Sequence, residues 1–532
     1  AGAIAAALTA AAEHARLRGG FERLVTIPQE LAGGLLAKFQ PEPALQPLLA
    51  MLLAALEKPP GNLFRRLARI GGAALSGYWR QTVLALAAGA GVTVLGLVLG
   101  GGAWAVATGL CLALLLLLVL LAWRILRALT QELPAADFGL CSGRTIAGPD
   151  PAFTDWLAER LDEVAARGAA ADASHPLTFA DLEAGQHKVR LRMMTSDIAM
   201  GRPYELPFRD DLHFFSEAEF RRLFPDRVVD YMVRAGGRVL DDNDNPIGDL
   251  HHLPPGSQLP VVVAVRLSLS FPGLIQAVPL YKRDFLLKHK ADRERPIRCL
   301  FSDGGLTSNF PIHLFDRLWP NRPTFAINLD SFNPKADEDR QRVWMHTAAG
   351  AGQILPIHPV VGLGGFFWAL FNTAKGWQDA LQAVLPGYRE RIVHVALKPD
   401  EGGLNLDMDR ATIETLLGFG AEAGRHVVQF FELDQHRWRR HLTAVARVEE
   451  TLAAMFESDT DPCGGPDDFA RFLARYDAAA GSYALRGASR AELDRKTADL
   501  FALARTWDPR RKLRGLKTIP RPESAMRISP KP

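Results

Sequence analysis

The chain has 532 residues, of which 48% are hydrophobic and 23% are charged, and its formal net charge is +3. This length exceeds what one compact core accommodates and indicates two or three domains. So small a net charge does not indicate a nucleic-acid partner, and we expect none. The four cysteines are scattered without the spacing of a metal site, so we expect no zinc site, disulfide framework or cofactor. They are Cys111, Cys141, Cys299 and Cys463.

The beginning of the chain is rich in alanine, the strongest helix former. Residues 1–18 therefore predict a helix, which Gly19 and Gly20 end. Residues 21–69 also have a helical pattern, interrupted by several prolines.

A long apolar run follows, and it contains no charged residue between Arg80 and Arg124. Glycines 100–102 divide it into segments 82–99 and 103–123, and each is close to the ~20 residues that cross a bilayer. Arginines flank both ends of the run: Arg65, Arg66, Arg69, Arg80, Arg124 and Arg127. This pattern predicts a hairpin of two membrane spans with both ends on the cytoplasmic side. The alternative is a pair of buried helices in a large soluble domain.

From residue 131 the composition becomes that of a globular domain. A strand is predicted to end at 195–197, and further strands at 298–301, 324–329 and 391–397. The apolar run 259–269 predicts either a covered strand or the start of a buried helix. Strands separated by helical stretches indicate an α/β layered domain.

Two other stretches each allow two interpretations. Residues 241–246 resemble the start of a calcium loop, but they lack its glycine and closing glutamate, so a hairpin tip is the better interpretation. The helical segment 365–384 carries an aromatic stripe, for which we expect core packing rather than contact with lipid.

The last part of the chain has a nearly continuous helical pattern, with helices predicted at 409–431, 435–456, 467–477 and 489–506. Residues 509–532 hold eight lysines and arginines and one glutamate. This composition predicts a disordered tail that binds an anionic membrane surface.

Asp303-Gly304-Gly305 is a turn in which the glycines permit positive φ and close approach to a neighbour. Such turns are common on surfaces, so the turn alone indicates little. Three other segments accompany it in order, namely 195–197, 265–272 and 309–311.

This order of motifs resembles the patatin-like phospholipases. The resemblance covers most of residues 1–45 and 131–409. It implies a three-layer α/β sandwich with a mainly parallel central sheet, in which a Ser–Asp dyad hydrolyses acyl esters. Asp303 matches the aspartate of the dyad, and Gly304 and Gly305 match the turn that supports it. A serine needs a base within hydrogen-bond reach, and in a dyad the carboxylate supplies it directly.

The nucleophile is absent in its usual form, because Gly-x-Ser-x-Gly does not occur in the 532 residues. Ala1-Gly2 looks like the end of a nucleophile elbow, so the resemblance implies a serine one residue before Ala1. We therefore expect these 532 residues to be a piece of an active hydrolase. By themselves they would carry the base, without the nucleophile or the oxyanion loop, and would be inactive.

The predicted organisation has five parts. They are the start of the patatin-like domain (1–45), an insertion with the transmembrane hairpin (46–130), the remainder of the patatin-like domain (131–408), a helical region (409–508) and a basic tail (509–532). The predicted function is a membrane-anchored acyl hydrolase that acts on a lipid or phospholipid. The alternative is a catalytically inactive membrane scaffold or lipid-binding protein with the same fold.

Overall fold

The computed structural model describes residues 2–507 except 33, 57–62, 147, 168–174, 308–310, 335–340, 348–350, 353–356, 358, 399, 403–404, 461–474 and 476–486. The described residues form a mixed α/β structure of two compact units. Unit 1 comprises Ala1–Asn309 and Leu397–Gly418, and unit 2 comprises Phe310–Ala396 and Phe419–Lys531. The domain boundaries drawn from the sequence divide the chain differently and stay a prediction.

The described helices are α1 (Gly2–His14), α2 (Gly20–Leu31), α3 (Gln46–Leu56), α4 (Leu63–Gly77), α5 (Trp79–Val98), α6 (Gly102–Arg127), α7 (Leu133–Ala135), α8 (Phe153–Val164), α9 (Phe179–Ala184), α10 (Glu217–Leu223), α11 (Asp226–Gly236), α12 (Val261–Leu269), α13 (Lys290–Glu294), α14 (Gly362–Ala383), α15 (Arg410–Phe430), α16 (Leu433–Thr460) and α17 (Gly487–Thr506). A π-helical turn, Ala128–Glu132, joins α6 to α7. The predicted helix 467–477 and the basic tail 509–532 lie outside the described residues, apart from residue 475.

The described strands are β1 (Gly139–Cys141), β2 (Met193–Asp197), β3 (Arg202–Leu206), β4 (Phe214–Ser216), β5 (Arg238–Leu240), β6 (Pro246–His252), β7 (Gly273–Ile275), β8 (Val278–Lys282), β9 (Ile297–Asp303), β10 (Ala326–Ser331), β11 (Val343–Met345) and β12 (Ile392–Leu397). Unit 1 holds a seven-stranded sheet in the order β3-β2-β9-β8-β4-β6-β5 and a two-stranded sheet of β1 and β7.

The direction of the strands corrects one expectation. Parallel pairing is present between β1 and β7, where Gly139 lies opposite Gly273. The pairings within the seven-stranded sheet are antiparallel, so the expectation of a mainly parallel central sheet is wrong for this sheet. The connections explain the difference, since β2 and β3 are joined by four residues and a parallel crossover needs about a dozen or more.

Helix α12 forms the centre of the core of unit 1. It packs against β2 and β9 of the sheet and against α1 and α8. Its residues from Val261 to Leu267 are buried, which resolves the apolar run 259–269 as a buried helix. Burying this apolar surface is the main favourable contribution to folding.

Helices α5 and α6 correspond to the predicted hairpin. Trp79–Val98 and the continuous helical segment Gly102–Ala135 are each long and apolar enough to cross a membrane. Gly100 takes φ +83° at the turn between them. At the open end, the Arg124 guanidinium lies 5.7 Å from the centre of the Tyr78 ring. The two helices therefore run antiparallel and side by side.

Two expectations for unit 2 are corrected. The strand predicted at 324–329 appears as β10, but its residues alternate between partly buried and exposed, so it is not a buried strand. The aromatic stripe at 365–384 lies on α14, and Phe366, Phe367 and Trp377 are exposed rather than packed in a core. In contrast, β12 is largely buried, as a core strand should be.

The stretch at 241–246 is a hairpin tip between the antiparallel strands β5 and β6. The Asp241 carboxylate accepts hydrogen bonds from the backbone N–H groups of Asn243 and Asn245, both at 2.8 Å. This carboxylate therefore stabilises the turn through hydrogen bonds to backbone groups of the same turn.

Candidate functional site

Asp303 is the last residue of β9, which lies between β2 and β8 in the seven-stranded sheet. It sits opposite Thr195 of β2, and its backbone N–H donates to the Ser270 carbonyl at 3.0 Å. The strand end is therefore held from two directions, by the neighbouring strand and by the residue that follows α12.

The two oxygens of the Asp303 carboxylate have different surroundings. Oδ1 accepts a hydrogen bond of 2.7 Å from the Gly305 backbone N–H. Oδ2 accepts no hydrogen bond from any residue that the structure describes. The side chain is partly buried. Among the described residues, one oxygen thus fixes the orientation of the carboxylate, and the other has no hydrogen-bond donor.

Gly304 is required by close packing. Gly304 and Gly305 lie in the 3-10 turn Gly304–Leu306, and neither has positive φ, so the turn does not use the positive φ that glycine permits. A Cβ at Gly304 would lie 2.0 Å from the Met194 carbonyl oxygen. The predicted close approach is therefore present, and any side chain at residue 304 would push the turn away from β2.

The hydroxyl groups around the turn are engaged elsewhere. The Ser196 hydroxyl donates to the Asp303 backbone carbonyl at 3.0 Å, and the Ser302 hydroxyl donates to the Ser270 carbonyl at 2.7 Å. The Thr307 hydroxyl lies 3.2 Å from the Gly304 carbonyl. Within the described ranges, no serine or threonine hydroxyl pairs with the Asp303 carboxylate.

The elbow residues predicted from the sequence are Ala1 and Gly2. Ala1 lies outside the described residues, and Gly2 is the exposed first residue of α1. Helix α1 packs against α12, and α12 also contacts β9 and the turn that follows Asp303. The structure thus places α1 and the strand of Asp303 against the same buried helix.

A buried arginine supports the strand end, and the sequence interpretation missed it. Arg266 of α12 is fully buried. Its guanidinium donates to the Ser270 hydroxyl and, at 3.1 Å, to the Ser142 carbonyl. The Ser270 carbonyl in turn accepts from the Asp303 N–H. Arg266 therefore ties the end of α12, the segment after β1 and the strand of Asp303 together.

The charge of Arg266 has no carboxylate partner among the described residues, and its Nε atom makes no hydrogen bond there. Burial lowers the pKa of the guanidinium to about 9, which still leaves it charged at neutral pH. Burial also raises the pKa of the neighbouring Cys141 thiol to about 12, so this thiol stays neutral. A single arginine inside the apolar run 259–269 was the sequence signal for this network.

A surface cavity of about 530 Å³ lies in another part of unit 1. Its lining includes His175, Asp181, Tyr231 and Gln258, and it does not include Asp303. No group of histidine, cysteine and acidic side chains suited to a metal ion occurs in the part of the chain that the structure describes.

Comparison with known proteins finds a relative that shows the family of this chain. The chain is 34% identical over 476 residues to the RpoH suppressor of Rhizobium meliloti (strain 1021), and the alignment covers 77% of this chain and 72% of the relative. The chain belongs to the family of this RpoH suppressor. The name of the relative refers to suppression of RpoH and to no chemical reaction. No family model matches the chain, and no solved structure matches it.

Proposed function

We propose that this chain is part of a membrane-anchored acyl hydrolase of the patatin-like type that cleaves a lipid or phospholipid ester. The observation that carries the proposal is the Asp303 carboxylate, in which Oδ1 accepts from the Gly305 N–H and Oδ2 accepts no hydrogen bond from a described residue. Asp303 would act as the base for the serine nucleophile that the resemblance implies. The patatin-like sandwich and this dyad are both part of the proposal.

The hairpin of α5 and α6 gives the proposed enzyme its location. Two helices of this length and apolarity favour insertion into a bilayer. Anchoring a hydrolase to the bilayer raises the effective concentration of a lipid substrate without any new contact in the site. The arginines at both ends of the hairpin support a topology with the catalytic region on the cytoplasmic side.

The test uses the intact gene product, including any residues that precede Ala1, and compares it with its Asp303→Asn variant. Asparagine retains an oxygen that can accept from the Gly305 N–H, but it is a far weaker base. We expect hydrolysis of a chromogenic acyl ester to fall by at least about 100-fold, within the usual range for loss of a general base.

Asp211→Asn is the matched control, since Asp211 is an exposed aspartate distant from this strand end in the sequence. It should hydrolyse the ester at the rate of the parent protein. Equal activity of the parent and Asp303→Asn would exclude Asp303 as the base. Circular dichroism of each variant separates loss of chemistry from loss of fold.

The alternative function is a membrane scaffold or lipid-binding protein that lacks the reaction. It draws support from the hydroxyl groups around Asp303, because those of Ser196, Ser302 and Thr307 are engaged with backbone carbonyls or with each other. An intact gene product without ester hydrolysis that still binds lipid vesicles would favour this alternative.

A further inference from the structure

Helix α14 (Gly362–Ala383) of unit 2 carries an exposed apolar face. Six of its large apolar side chains are between 49% and 74% exposed: Leu363, Phe366, Phe367, Leu370, Trp377 and Leu381. Monomeric soluble proteins rarely expose so continuous an apolar surface without a partner. This face therefore needs an explanation beyond scattered surface residues.

The spacing of these residues places them on one side of the helix. At 3.6 residues per turn, positions 363, 366, 367, 370, 377 and 381 fall within one broad stripe. Asn372, Lys375 and Asp379 lie on the opposite side of the same helix. Helix α14 is therefore amphipathic, with its charged residues turned away from the aromatic stripe.

Two observations identify the kind of partner. The same chain carries two helices that are long and apolar enough to cross a membrane, so a bilayer is an available surface. Helix α14 has 22 residues and is long enough to span a bilayer, but it is not apolar enough to be grouped with these two helices. An amphipathic helix with aromatic and aliphatic residues on one face and charges on the other is typical of a helix that lies in the membrane interface.

We propose that α14 is a second membrane-contact element, which lies parallel to the bilayer with the stripe from Leu363 to Leu381 inserted at the boundary between headgroups and acyl chains. Phenylalanine and tryptophan suit this depth, and Lys375 on the opposite face reaches the aqueous side. The occupant of the apolar face is thus lipid, and unit 2 contacts the membrane independently of the α5–α6 hairpin.

The test uses the full chain reconstituted in phosphatidylcholine vesicles, with Cys111→Ala and Cys463→Ala to remove competing thiols. Burial raises the pKa of the remaining thiols, Cys141 and Cys299, and shields them from labelling. An environment-sensitive fluorophore is attached at Leu370→Cys or at Asn372→Cys. Both native residues are exposed, and they lie on opposite sides of α14.

We expect the label at 370 to emit several-fold more strongly in vesicles than the label at 372. Nitroxide-labelled lipids should quench the label at 370 strongly, whereas aqueous iodide should quench the label at 372. Equal quenching at both positions would overturn the proposal. So would a label at 370 that neither quencher reaches, because a second copy of the chain would then cover the face.

This inference depends on membrane association and not on ester hydrolysis. The measurement is fluorescence from a label on α14, so its failure would leave the Asp303 experiment unaffected. Likewise, the activity of the Asp303 variant has no bearing on the fluorescence.

A further variant, Phe367→Ser with the label at 370, should weaken quenching by the nitroxide lipids. Unchanged quenching in that variant would contradict a role for the aromatic stripe.

Discussion

The Arg266 network shows how a single side chain supports the candidate site from outside it. The guanidinium donates to Ser142 and Ser270, which belong to different segments of unit 1. Ser270 then accepts from the backbone N–H of Asp303. Because Arg266 is fully buried, no water replaces either contact when one is lost. We therefore assign Arg266 a positioning role and no direct contact with substrate.

We expect Arg266→Lys to destabilise the protein by about 1.5–3 kcal/mol, the usual cost of losing a hydrogen bond to a charged group. A lysine ammonium cannot bridge two separated acceptors as the planar guanidinium does. The measurement is the free energy of unfolding in detergent micelles, obtained from denaturant titration.

Arg16→Lys provides the comparison for this prediction. Arg16 is exposed and pairs with Glu13 on the surface, so its replacement should change the free energy of unfolding by less than about 1 kcal/mol. Similar effects of the two substitutions would show that the buried contacts of Arg266 contribute nothing specific.

At the scale of elements, small residues let α5 and α6 pack closely. Buried alanines and glycines recur every four residues along the contact, including Ala85 and Gly89 on α5 and Ala105, Gly109 and Ala113 on α6. A Cβ at Gly89 would lie 2.5 Å from the Ala113 Cβ and 2.6 Å from the Gly109 carbonyl oxygen. Helices in membranes associate through such small residues, because lipid removes the hydrophobic drive between them.

We expect Gly89→Leu to separate the hairpin and to destabilise it by about 1–3 kcal/mol, the usual cost of overpacking. Gly91→Leu is the matched control on the same helix, because a Cβ there meets no atom within 4 Å. The unfolding midpoint in micelles should fall for Gly89→Leu alone. A fall of equal size for both variants would attribute the effect to the loss of glycine and not to packing.

The short helix α9 has an N-terminal cap whose contribution to stability depends on pH. Thr178 and Asp181 form a reciprocal capping box, and the Asp181 carboxylate pairs with Arg167 at 2.7 Å. Burial alone would raise the pKa of Asp181, but the hydrogen bonds from Thr178 and the Arg167 ion pair outweigh it and lower the pKa. This carboxylate therefore stabilises the fold above its unfolded pKa of about 3.9, and the contribution is lost as pH falls through the lower folded pKa.

We expect Asp181→Asn to lower the unfolding midpoint at pH 7, and the deficit should shrink as pH falls below about 4. Asparagine keeps one oxygen as an acceptor for the cap, while the charge is lost and the other oxygen becomes an NH2 group. Glu183→Gln, an exposed change on the same helix, should have little effect at any pH. A deficit for Asp181→Asn that is the same at pH 3 and pH 7 would contradict the assigned pKa shift.

At the scale of the whole molecule, the proposed topology makes a labelling prediction. Ala103, next to the hairpin turn, and Gly72, on α4 before the hairpin, are both exposed. In intact cells carrying Cys111→Ala and Cys463→Ala, a membrane-impermeant maleimide should label Ala103→Cys but not Gly72→Cys. Permeabilising the cells should make Gly72→Cys reactive. Labelling of both in intact cells would contradict a hairpin with cytoplasmic ends.

Features that depend on local composition were predictable from the sequence. The uncharged run between Arg80 and Arg124 indicated two long apolar helices, and the structure has both, since apolarity over about 20 residues is a property of the segment itself. The hairpin tip at 241–246 was also predictable, because its carboxylate bonds to backbone groups within the same turn. The role of Asp303 as the base of a Ser–Asp dyad rests on a family resemblance and stays a prediction.

Only the tertiary structure decided the features that join residues distant in the sequence. The antiparallel sheet depends on which strands meet, and strand periodicity does not contain that information. Arg266 and Ser142 are 124 positions apart, so their contact has no local signature. The aromatic stripe of α14 has the same spacing whether it faces a core or lipid. Its exposure follows from what packs around the helix, and this long-range packing is the step that a sequence pattern leaves open.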